Sequence, residues 1–226
     1  MAADPTPIRI DIVSDVVCPW CIIGYKRLEK ALAQLEGEVV PEIHWHPFEL
    51  NPMMPPAGQN LREHIAQKYG VDPKQSAGAR QRLTEIAASL GISFNYFDEM
   101  RMVNTFRAHQ LLFWAGQHGK KTELELELWE RYFTGQAKVD DTDVLVDAAG
   151  RVGLHRTEAA ALLSDERNAR DVREQQRFWL QQGIHAVPSF IVDRRFLIPG
   201  AQEVDVFVSA LERIRDDAAN PAEERA

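Results

Sequence analysis

Strand-forming sequence lies near both ends of this chain, and a long stretch of helix-forming sequence separates the two. Residues 8–13 alternate apolar and polar side chains and are rich in β-branched residues, which predicts a first strand. Near the other end, residues 188–192 and 195–198 flank a two-residue turn and predict a hairpin. We therefore predict an α/β fold in which a helical insertion interrupts one domain, so that the two halves of the chain assemble into a single sheet.

A helix and a second strand follow the first strand. From Pro19 the apolar side chains recur at alternating spacings of four and three residues, which is typical of one face of an α-helix, and Gly37 predicts its end. Residues 42–46 alternate again and predict a strand. The opening is therefore β-α-β, in which parallel pairing requires a right-handed helical crossover.

The middle of the chain has the pattern of consecutive helices. Asp72 and Pro73 supply a capping side chain and a first-turn proline for a helix that ends near Leu90. Residues 122–125 have the sequence of a capping box, which predicts the start of another helix. The remaining predicted helices run from Asn104 to about His118, after Asp141, after Thr157, from Ser164 to Gln182, and from about Gln202 to Ile214.

Composition argues against several classes of protein. The 226 residues include 26 basic and 34 acidic side chains, for a net charge of −8. The basic residues are scattered singly, whereas a nucleic-acid partner would require a basic stripe, so we predict no such partner. A chain of this length can bury a large core, and it therefore needs neither disulfides nor a structural metal to fold.

The first residues lack the features of a targeting or membrane segment. They carry two prolines and an acid, and the apolar run that follows is interrupted by Arg9, Asp11 and Asp15. We therefore predict neither a signal peptide nor a membrane span, and expect a cytosolic (cytoplasmic) protein with no membrane partner. Thiols in that compartment are kept reduced, and the disulfides that form there tend to be transient and catalytic.

The only two cysteines, Cys18 and Cys21, lie three positions apart at the junction of the first strand and the first helix. If Pro19 is the first helical residue, Cys18 is the N-cap and faces unpaired backbone N–H groups at the positive end of the helix dipole, which favours the thiolate. Cys21 falls one turn later on the apolar stripe and should be less exposed. We therefore predict that Cys18 attacks a substrate disulfide and Cys21 resolves the mixed disulfide.

Two other interpretations of the cysteine pair stay open. Such a pair can be half of a zinc site, and His44 and His46, which share a strand face, could complete a Cys₂His₂ set. Pro19 argues against zinc, because it commits the segment to a helix start. The remaining alternative is that the two thiols are ordinary core residues.

Other polar residues are weaker candidates. Asn104 and His109 are five residues apart on one predicted helix, and a helix cap and a packed histidine are the simpler interpretation. Asp15 and Glu49 could border the thiols and manage their protons, although we expect solvated carboxylates at both positions. The alternating glutamates of residues 123–130 are predicted to lie on a solvated helix face.

Val187 and Pro188 immediately precede the late strand. Proline is unusual there unless it lies at a sheet edge or follows a cis peptide bond. The sequence alone does not decide for the cis bond. With the cysteine pair and the β-α-β opening, however, this proline matches the arrangement of a known family.

The chain resembles the DsbA-like branch of the thioredoxin-fold superfamily, and most closely its FrnE-like cytosolic subgroup. The residues that carry the resemblance occur in the family's order from about residue 8 to residue 214. They are residues 14–24, which contain Cys-Pro-Trp-Cys, Asn104-Thr105 with Ala108-His109, residues 186–190, and residues 200–202.

This resemblance implies a thioredoxin fold with an inserted all-helical subdomain. Residues 8–50 would form the first part of the thioredoxin-like domain and residues 164–214 the second part. Residues 51–163 would form the insertion, which would cap the site and choose substrates. We expect residues 215–226 to be a disordered tail.

The resemblance also implies thiol–disulfide oxidoreductase activity, with Cys18 nucleophilic, Cys21 resolving and Pro188 cis beside them. Val187 would offer its backbone groups to an extended substrate segment by strand addition. The substrates would be protein, peptide or small-molecule disulfides, with no prosthetic cofactor, no metal, and glutathione as a candidate electron donor. The oligomeric state is not predicted. The residues expected to bind substrate are Pro19, Trp20, Asn104, Val187 and Gln202.

A related family departs from this sequence at two places. Kappa-class glutathione transferases and hydroxychromene-carboxylate isomerases are similar to this chain but have a serine in place of Cys18. They also carry a Ser-Asp pair, for glutathione, where this chain has Ala201 and Gln202. A glutathione-dependent isomerase or transferase is therefore the alternative function, beside a zinc-binding module.

Overall fold

The computed structural model describes residues 5–219 of the chain. Their strands are β1 (Thr6–Ser14), β2 (Val39–Pro47), β3 (Gln59–Asn60), β4 (Arg101–Met102), β5 (Ser189–Val192) and β6 (Phe196–Pro199). Their helices are α1 (Pro19–Gln34), α2 (Leu61–Tyr69), α3 (Pro73–Ser89), α4 (Phe106–Gln117), α5 (Lys121–Trp129), α6 (Thr142–Arg151), α7 (Arg156–Asp165), α8 (Ala169–Gln181) and α9 (Val204–Ala219). A π-helical turn, Glu130–Thr134, continues α5.

The strands from both ends of the chain form one four-stranded sheet in the order β2-β1-β5-β6. β1 is parallel to β2 and antiparallel to β5, and β6 is antiparallel to β5. The prediction that the two halves assemble into a single α/β sheet is therefore confirmed. Two short strands, β3 and β4, pair separately within the intervening helical segment.

Alternate residues of β1 face two apolar layers. Ile10 belongs to the main apolar cluster, together with Leu28 of α1 and Phe207 of α9. Val13, on the opposite face, packs in a smaller cluster with Trp179 of α8. Both faces of the central strand are therefore covered, although its sequence alternates as a half-exposed strand would.

The main apolar cluster continues from the sheet into the helical segment. The ring centroids of Trp45 on β2 and Trp129 at the end of α5 are 5.5 Å apart, and Tyr25 of α1 is 6.0 Å from Trp129. Trp45 also donates from its indole Nε1 to Thr122 Oγ1 at 2.9 Å. The division into a thioredoxin-like domain and a separate insertion stays a prediction, because the two parts share a core.

Three sequence predictions about element ends are wrong. The helix α5 begins at Lys121 without a side-chain cap, and Thr122 lies inside the helix, where its hydroxyl accepts from Trp45 Nε1. Ser164 belongs to α7 and does not open a longer helix, since Glu166 adopts a left-handed φ of 50° and α8 starts only at Ala169. The predicted tail, residues 215–226, begins inside α9, and its residues 220–226 lie outside the described part.

Within residues 5–219, no helix combines the length and the apolar character needed to cross a membrane.

Candidate active site

Cys18 is the N-cap of α1, and Pro19 is the first residue of that helix, as the sequence predicts. The Cys18 backbone is extended, and its side chain caps none of the helix N–H groups. The Cys18 sulfur therefore lies at the positive end of the α1 dipole without being tied into the helix start. Both Cys18 and Cys21 are free thiols.

Cys21 lies beneath Cys18, inside the core. It is 1% exposed, and burial, followed by its contact with the Cys18 sulfur, raises the pKa of the Cys21 thiol well above its ordinary value. Interactions with the Asp15 backbone and the Ser14 side chain act in the opposite direction. Cys21 is therefore held as a thiol until a neighbouring group takes its proton.

Val187 and Pro188 lie beside Cys18. The peptide bond between them is cis, and the Cys18 thiol donates to the Val187 carbonyl oxygen across 3.9 Å. The Pro188 carbonyl accepts from the Gly200 N–H at 2.8 Å, which ties this loop to the residue after β6. The chain thus brings together three of the predicted site residues, Cys18, Val187 and Pro188, from its two ends.

A cavity of about 490 Å³ opens next to Cys18, between the start of α1 and the helices α2 and α3. Pro19, Trp20 and Val187 line it, and their role in substrate binding stays a prediction. Trp20 is 42% exposed at the same time, so its ring is open both to the cavity and to solvent.

Two predicted substrate-binding residues are not part of the cavity lining. Asn104 lies at the start of α4, where its Oδ1 accepts from the Phe106 N–H at 2.9 Å. Gln202 donates from Nε2 to the Pro199 carbonyl at 2.6 Å. Both side chains serve local backbone contacts here, and a role in substrate binding stays a prediction for each.

A cluster of buried polar side chains, Ser14, Asp15, His109 and Glu125, lies behind the cysteine pair. Ser14 Oγ donates to Glu125 Oε1 at 3.1 Å. His109 donates from Nε2 to the Phe48 carbonyl at 2.8 Å, with an Asp15 carboxylate oxygen 3.5 Å from the same nitrogen. We call these four residues the acid–histidine cluster.

Glu125 has the most perturbed ionisation in this cluster. Burial raises the pKa of its carboxyl to about 7, against the opposing effects of His109, Ser14 and Lys121. Burial alone would lower the pKa of His109, but the hydrogen bond and charge of Asp15, followed by the charge of Glu125, outweigh it and raise that pKa. The cluster therefore holds groups that exchange protons near neutral pH.

The expectation of solvated carboxylates is wrong at three positions. Asp15 is 1% exposed, Glu49 8% and Glu125 2%. Glu49 is paired with Arg173 and accepts from Gln176 Nε2 at 2.9 Å.

Sequence reasoning missed Glu125, although a signal for it exists. Its neighbours Leu124, Leu128 and Trp129 are buried, and their spacing places Glu125 on the same face of α5. A single acid on an otherwise apolar helix face was therefore the available indication.

His44 and His46 do not approach the thiols as the zinc interpretation requires. His44 Nε2 is 3.2 Å from an Arg9 nitrogen, and His46 Nε2 is 2.7 Å from Asp11 Oδ1. Arg9 also binds the Asp11 carboxylate with two nitrogens, at 2.6 and 2.7 Å. Both imidazoles thus belong to an ion-pair group on β1 and β2, and among the described residues no set of three or more ligands is arranged to hold a metal.

The chain is similar to a known protein family and to several known proteins. The family model described as DSBA-like thioredoxin domain matches residues 9–212. A crystal structure of a probable DsbA oxidoreductase from Streptomyces coelicolor is 32% identical, with a TM-score of 0.86 over 91% of this chain and 89% of that one. The uncharacterised protein YwbO of Bacillus subtilis is 28% identical over 206 residues, which cover 90% of this chain and 96% of YwbO.

More distant structures share the fold alone. A 2-hydroxychromene-2-carboxylate isomerase is 16% identical, with a TM-score of 0.69 over 95% of this chain and 100% of that one. The cytosolic disulfide reductase DsbM of Pseudomonas aeruginosa, in a structure with glutathione, is 18% identical, with a TM-score of 0.60 over 91% of this chain and 98% of that one. The same architecture is therefore found in proteins with different activities.

Proposed function

The chain belongs to the DSBA-like thioredoxin domain family of thiol–disulfide oxidoreductases, and we propose that Cys18 and Cys21 are the redox pair through which it acts. The observation that carries this proposal is the position of Cys18 at the start of α1, beside both the Val187 carbonyl and an open cavity. Both thiols are buried, but Cys18 lines the cavity and Cys21, which lies behind it, does not. Such an asymmetric pair divides the reaction into an attacking thiol and a resolving thiol.

In the reductive direction, the Cys18 thiolate attacks one sulfur of the substrate disulfide. The substrate S–S bond breaks, a mixed disulfide forms on Cys18, and the other substrate sulfur leaves as a thiolate. The Cys21 thiolate then attacks the Cys18 sulfur and releases the second substrate sulfur. The substrate gains two electrons and the Cys18–Cys21 pair becomes a disulfide; oxidation of a substrate dithiol is the reverse sequence.

The acid–histidine cluster supplies the proton acceptor for the second step. Cys21 has to lose its proton before it attacks, and its burial makes that loss unfavourable without a base. The Ser14 hydroxyl contacts both Cys21 and Glu125, and the pKa of Glu125, about 7, allows that carboxylate to take up and return a proton near neutral pH. Glu125 thus acts through Ser14 as a positioning residue.

In the reductive direction, the pair needs an external thiol to complete a cycle. The chain has two cysteines in all, so it has no third thiol to reduce the Cys18–Cys21 disulfide. We propose that a small thiol such as glutathione returns the electrons, in keeping with a cytosolic protein of the FrnE-like subgroup. No prosthetic cofactor takes part in the exchange.

The isomerase alternative has less support from the site residues. Isomerases of that family resemble this chain with a serine at the position of Cys18, and they bind glutathione through the pair that corresponds to Ala201 and Gln202. Here the Ala201 carbonyl accepts from Arg27 at 2.6 Å, and the Gln202 amide is bonded to the Pro199 carbonyl. The likeness to an isomerase at 16% identity concerns the fold only.

Substitution of each cysteine tests the proposal. With a disulfide-bonded peptide as substrate, we expect Cys18→Ser to abolish turnover and to form no covalent complex. Cys21→Ser should instead accumulate a mixed disulfide with the peptide, visible by mass spectrometry and removed by dithiothreitol. Turnover by Cys18→Ser at the wild-type rate would overturn the assignment.

A further inference from the structure

The cavity beside Cys18 has the size of a small-molecule site. Its volume of about 490 Å³ falls within the range of small-ligand pockets, roughly 300–1,000 Å³. One wall is formed by Cys18, Pro19 and Val187, so a ligand inside it touches the sulfur that we assign as the nucleophile.

Most of the opposite wall is apolar. It consists of side chains from α2, α3, the segment before α4 and the π-helical turn after α5, among them Leu61, Ile65, Leu83, Met100, Met102 and Phe133. Binding is favourable when an apolar group replaces the water in an apolar cavity of this size. The ligand that fits this wall has an aromatic or branched aliphatic body.

One cation, Arg80 of α3, is part of the same lining. Its Nη1 donates to Ser76 Oγ at 2.7 Å, and among residues 5–219 none of its nitrogens is in an ion pair. The nearby carboxylate of Asp98 is instead bound by Arg62. No aspartate or glutamate of the described residues lines the cavity. Arg80 therefore presents unused guanidinium donors in a site without competing carboxylates.

Tyr96 lines the cavity together with Cys18 and Arg80. Burial raises the pKa of its hydroxyl, and the charges of Arg80 and Cys18 act on that same hydroxyl in opposite directions. Both charged groups are thus within electrostatic reach of one ring. The cavity therefore combines a sulfur, a cation and an aromatic side chain in one lining.

We propose that this cavity binds a small organic disulfide, or the corresponding mixed disulfide, that has an apolar body and one carboxylate or similar anion, with the disulfide at Cys18 and the anion at Arg80. The proposal rests on the function proposed above and names the substrate class of that site. Cys18 attacks the ligand disulfide and releases one thiolate, and Cys21 then releases the second, as described for the general exchange. Peptide disulfides without such a body would use Cys18 without filling the cavity.

The test compares an anionic with a neutral aromatic disulfide. The probes are dithiobis(nitrobenzoate), which carries carboxylates, and dithiodipyridine, which has none; the release of aromatic thiol is followed by stopped-flow absorbance on the reduced full-length protein. We expect Arg80→Met to lower the rate constant for the anionic probe by about 10- to 100-fold relative to wild type, the effect of losing a charge-assisted hydrogen bond. The rate constant for dithiodipyridine should change less than twofold. It serves as an internal control for folding.

Matched variants separate this site from general charge effects. Arg82→Met removes a cation from an exposed position on the same helix and should leave both rate constants unchanged. Arg80→Lys keeps the charge but not the planar fork, and it should restore part of the anionic rate. Because the two probes differ in leaving group, each variant is compared with wild type on the same probe.

Three outcomes decide between the proposals. If Arg80→Met reacts with the anionic probe at the wild-type rate, or loses the same factor with both probes, the cavity assignment is wrong. The proposed redox function is not affected by that result. An anionic loss of the same size in Arg82→Met would also overturn it, because the effect would then be one of net charge. Retention of wild-type rates by Cys18→Ser with every probe would instead refute the redox function itself.

Discussion

Cys21 and Glu125 are both buried, and the Ser14 hydroxyl connects them. A thiol and a carboxyl that share one hydroxyl can exchange a proton without contact with solvent. The direction of that exchange depends on which group holds its proton more tightly, and burial acts on both. The proton of Cys21 therefore has a defined destination within the protein.

Glu125→Gln is expected to slow the resolving step about tenfold at neutral pH, because the amide cannot take up the Cys21 proton. In wild type the rate of this step should rise with pH as Glu125 ionises near its pKa of about 7. In the variant that rise should move to higher pH, where Cys21 ionises without assistance. The lifetime of the mixed disulfide, measured by rapid acid quench from pH 6 to 9, gives both rates.

Glu130→Gln is the control for this variant, because Glu130 is exposed at the start of the π-helical turn. It should leave the lifetime of the mixed disulfide unchanged at every pH. An identical pH profile for wild type and Glu125→Gln would remove Glu125 from the mechanism.

At the scale of the elements, the packing of α1 against β5 positions the cysteine pair next to the Val187–Pro188 loop. Gly24 is the point of closest approach. A Cβ on this residue would lie 3.0 Å from Phe190 Cζ and 3.2 Å from Pro188 Cγ. Glycine at this position allows the helix to rest directly on the strand that follows Pro188.

Gly24→Ala is therefore expected to lower the free energy of unfolding by about 1–3 kcal/mol, since the added methyl overfills a packed contact. Gly78→Ala is the matched control, because its Cβ would meet no atom within 4 Å on α3. That variant should raise the free energy of unfolding by about 0.5–1 kcal/mol, the usual gain of alanine over glycine within a helix. Urea unfolding followed by circular dichroism measures both, and equal effects of the two substitutions would contradict the close packing at Gly24.

The element pattern was predictable wherever neighbours along the chain determine the structure. Pro19 after Cys18 predicts the helix start, and Asp72 caps α3 as its sequence indicates. The predicted cap at Thr122 is wrong because α5 begins one residue earlier, and the Thr122 hydroxyl instead accepts from Trp45, which is distant in sequence. The break at Glu166 was not predicted because no glycine marks its left-handed backbone.

The hydrogen-bond partners of the buried polar residues of the site were not predictable for a related reason. Glu125 is stabilised by Ser14, which is 111 positions away in the sequence. The sequence around an acidic residue shows where it lies on a helix. It does not show which residues distant in sequence surround it in the fold. Cys18, Cys21 and Pro188 could be recognised because each lies at an element boundary with a local signature.

At the scale of the whole molecule, buried ionisable groups make stability depend on pH in two opposite directions. Burial lowers the pKa of His46, so its contribution is lost as pH falls below the unfolded value of about 6.5. Glu125 and His109 have raised pKa values, so the native state binds more protons than the unfolded state, and their contribution is lost as pH rises. The net pH dependence is the sum of these effects.

Glu125→Gln isolates the second contribution. The carboxyl titrates near 4.5 when unfolded and at about 7 when folded, so wild type should lose about 2 kcal/mol of this contribution between pH 5 and pH 7.5. The groups that face this carboxyl are Ser14, Asp15, His109 and Lys121. Burial lowers the pKa of the Lys121 ammonium to about 8.

The difference in unfolding free energy between the variant and wild type should shift by about 2 kcal/mol in favour of the variant over that range. Urea titrations at the two pH values measure it. A difference that is constant with pH would mean that Glu125 does not titrate between them.

The position of β1 at the centre of the sheet has a consequence for synthesis on the ribosome. Cys18 and the Val187 carbonyl that covers it are 169 residues apart in the chain. At about 5–20 residues per second, a nascent chain would expose both thiols and one unpaired edge of β1 for on the order of ten seconds before β5 emerges. Synthesis of the late hairpin therefore completes the sheet and covers the two thiols, and a chain truncated before it would expose both to other nascent proteins.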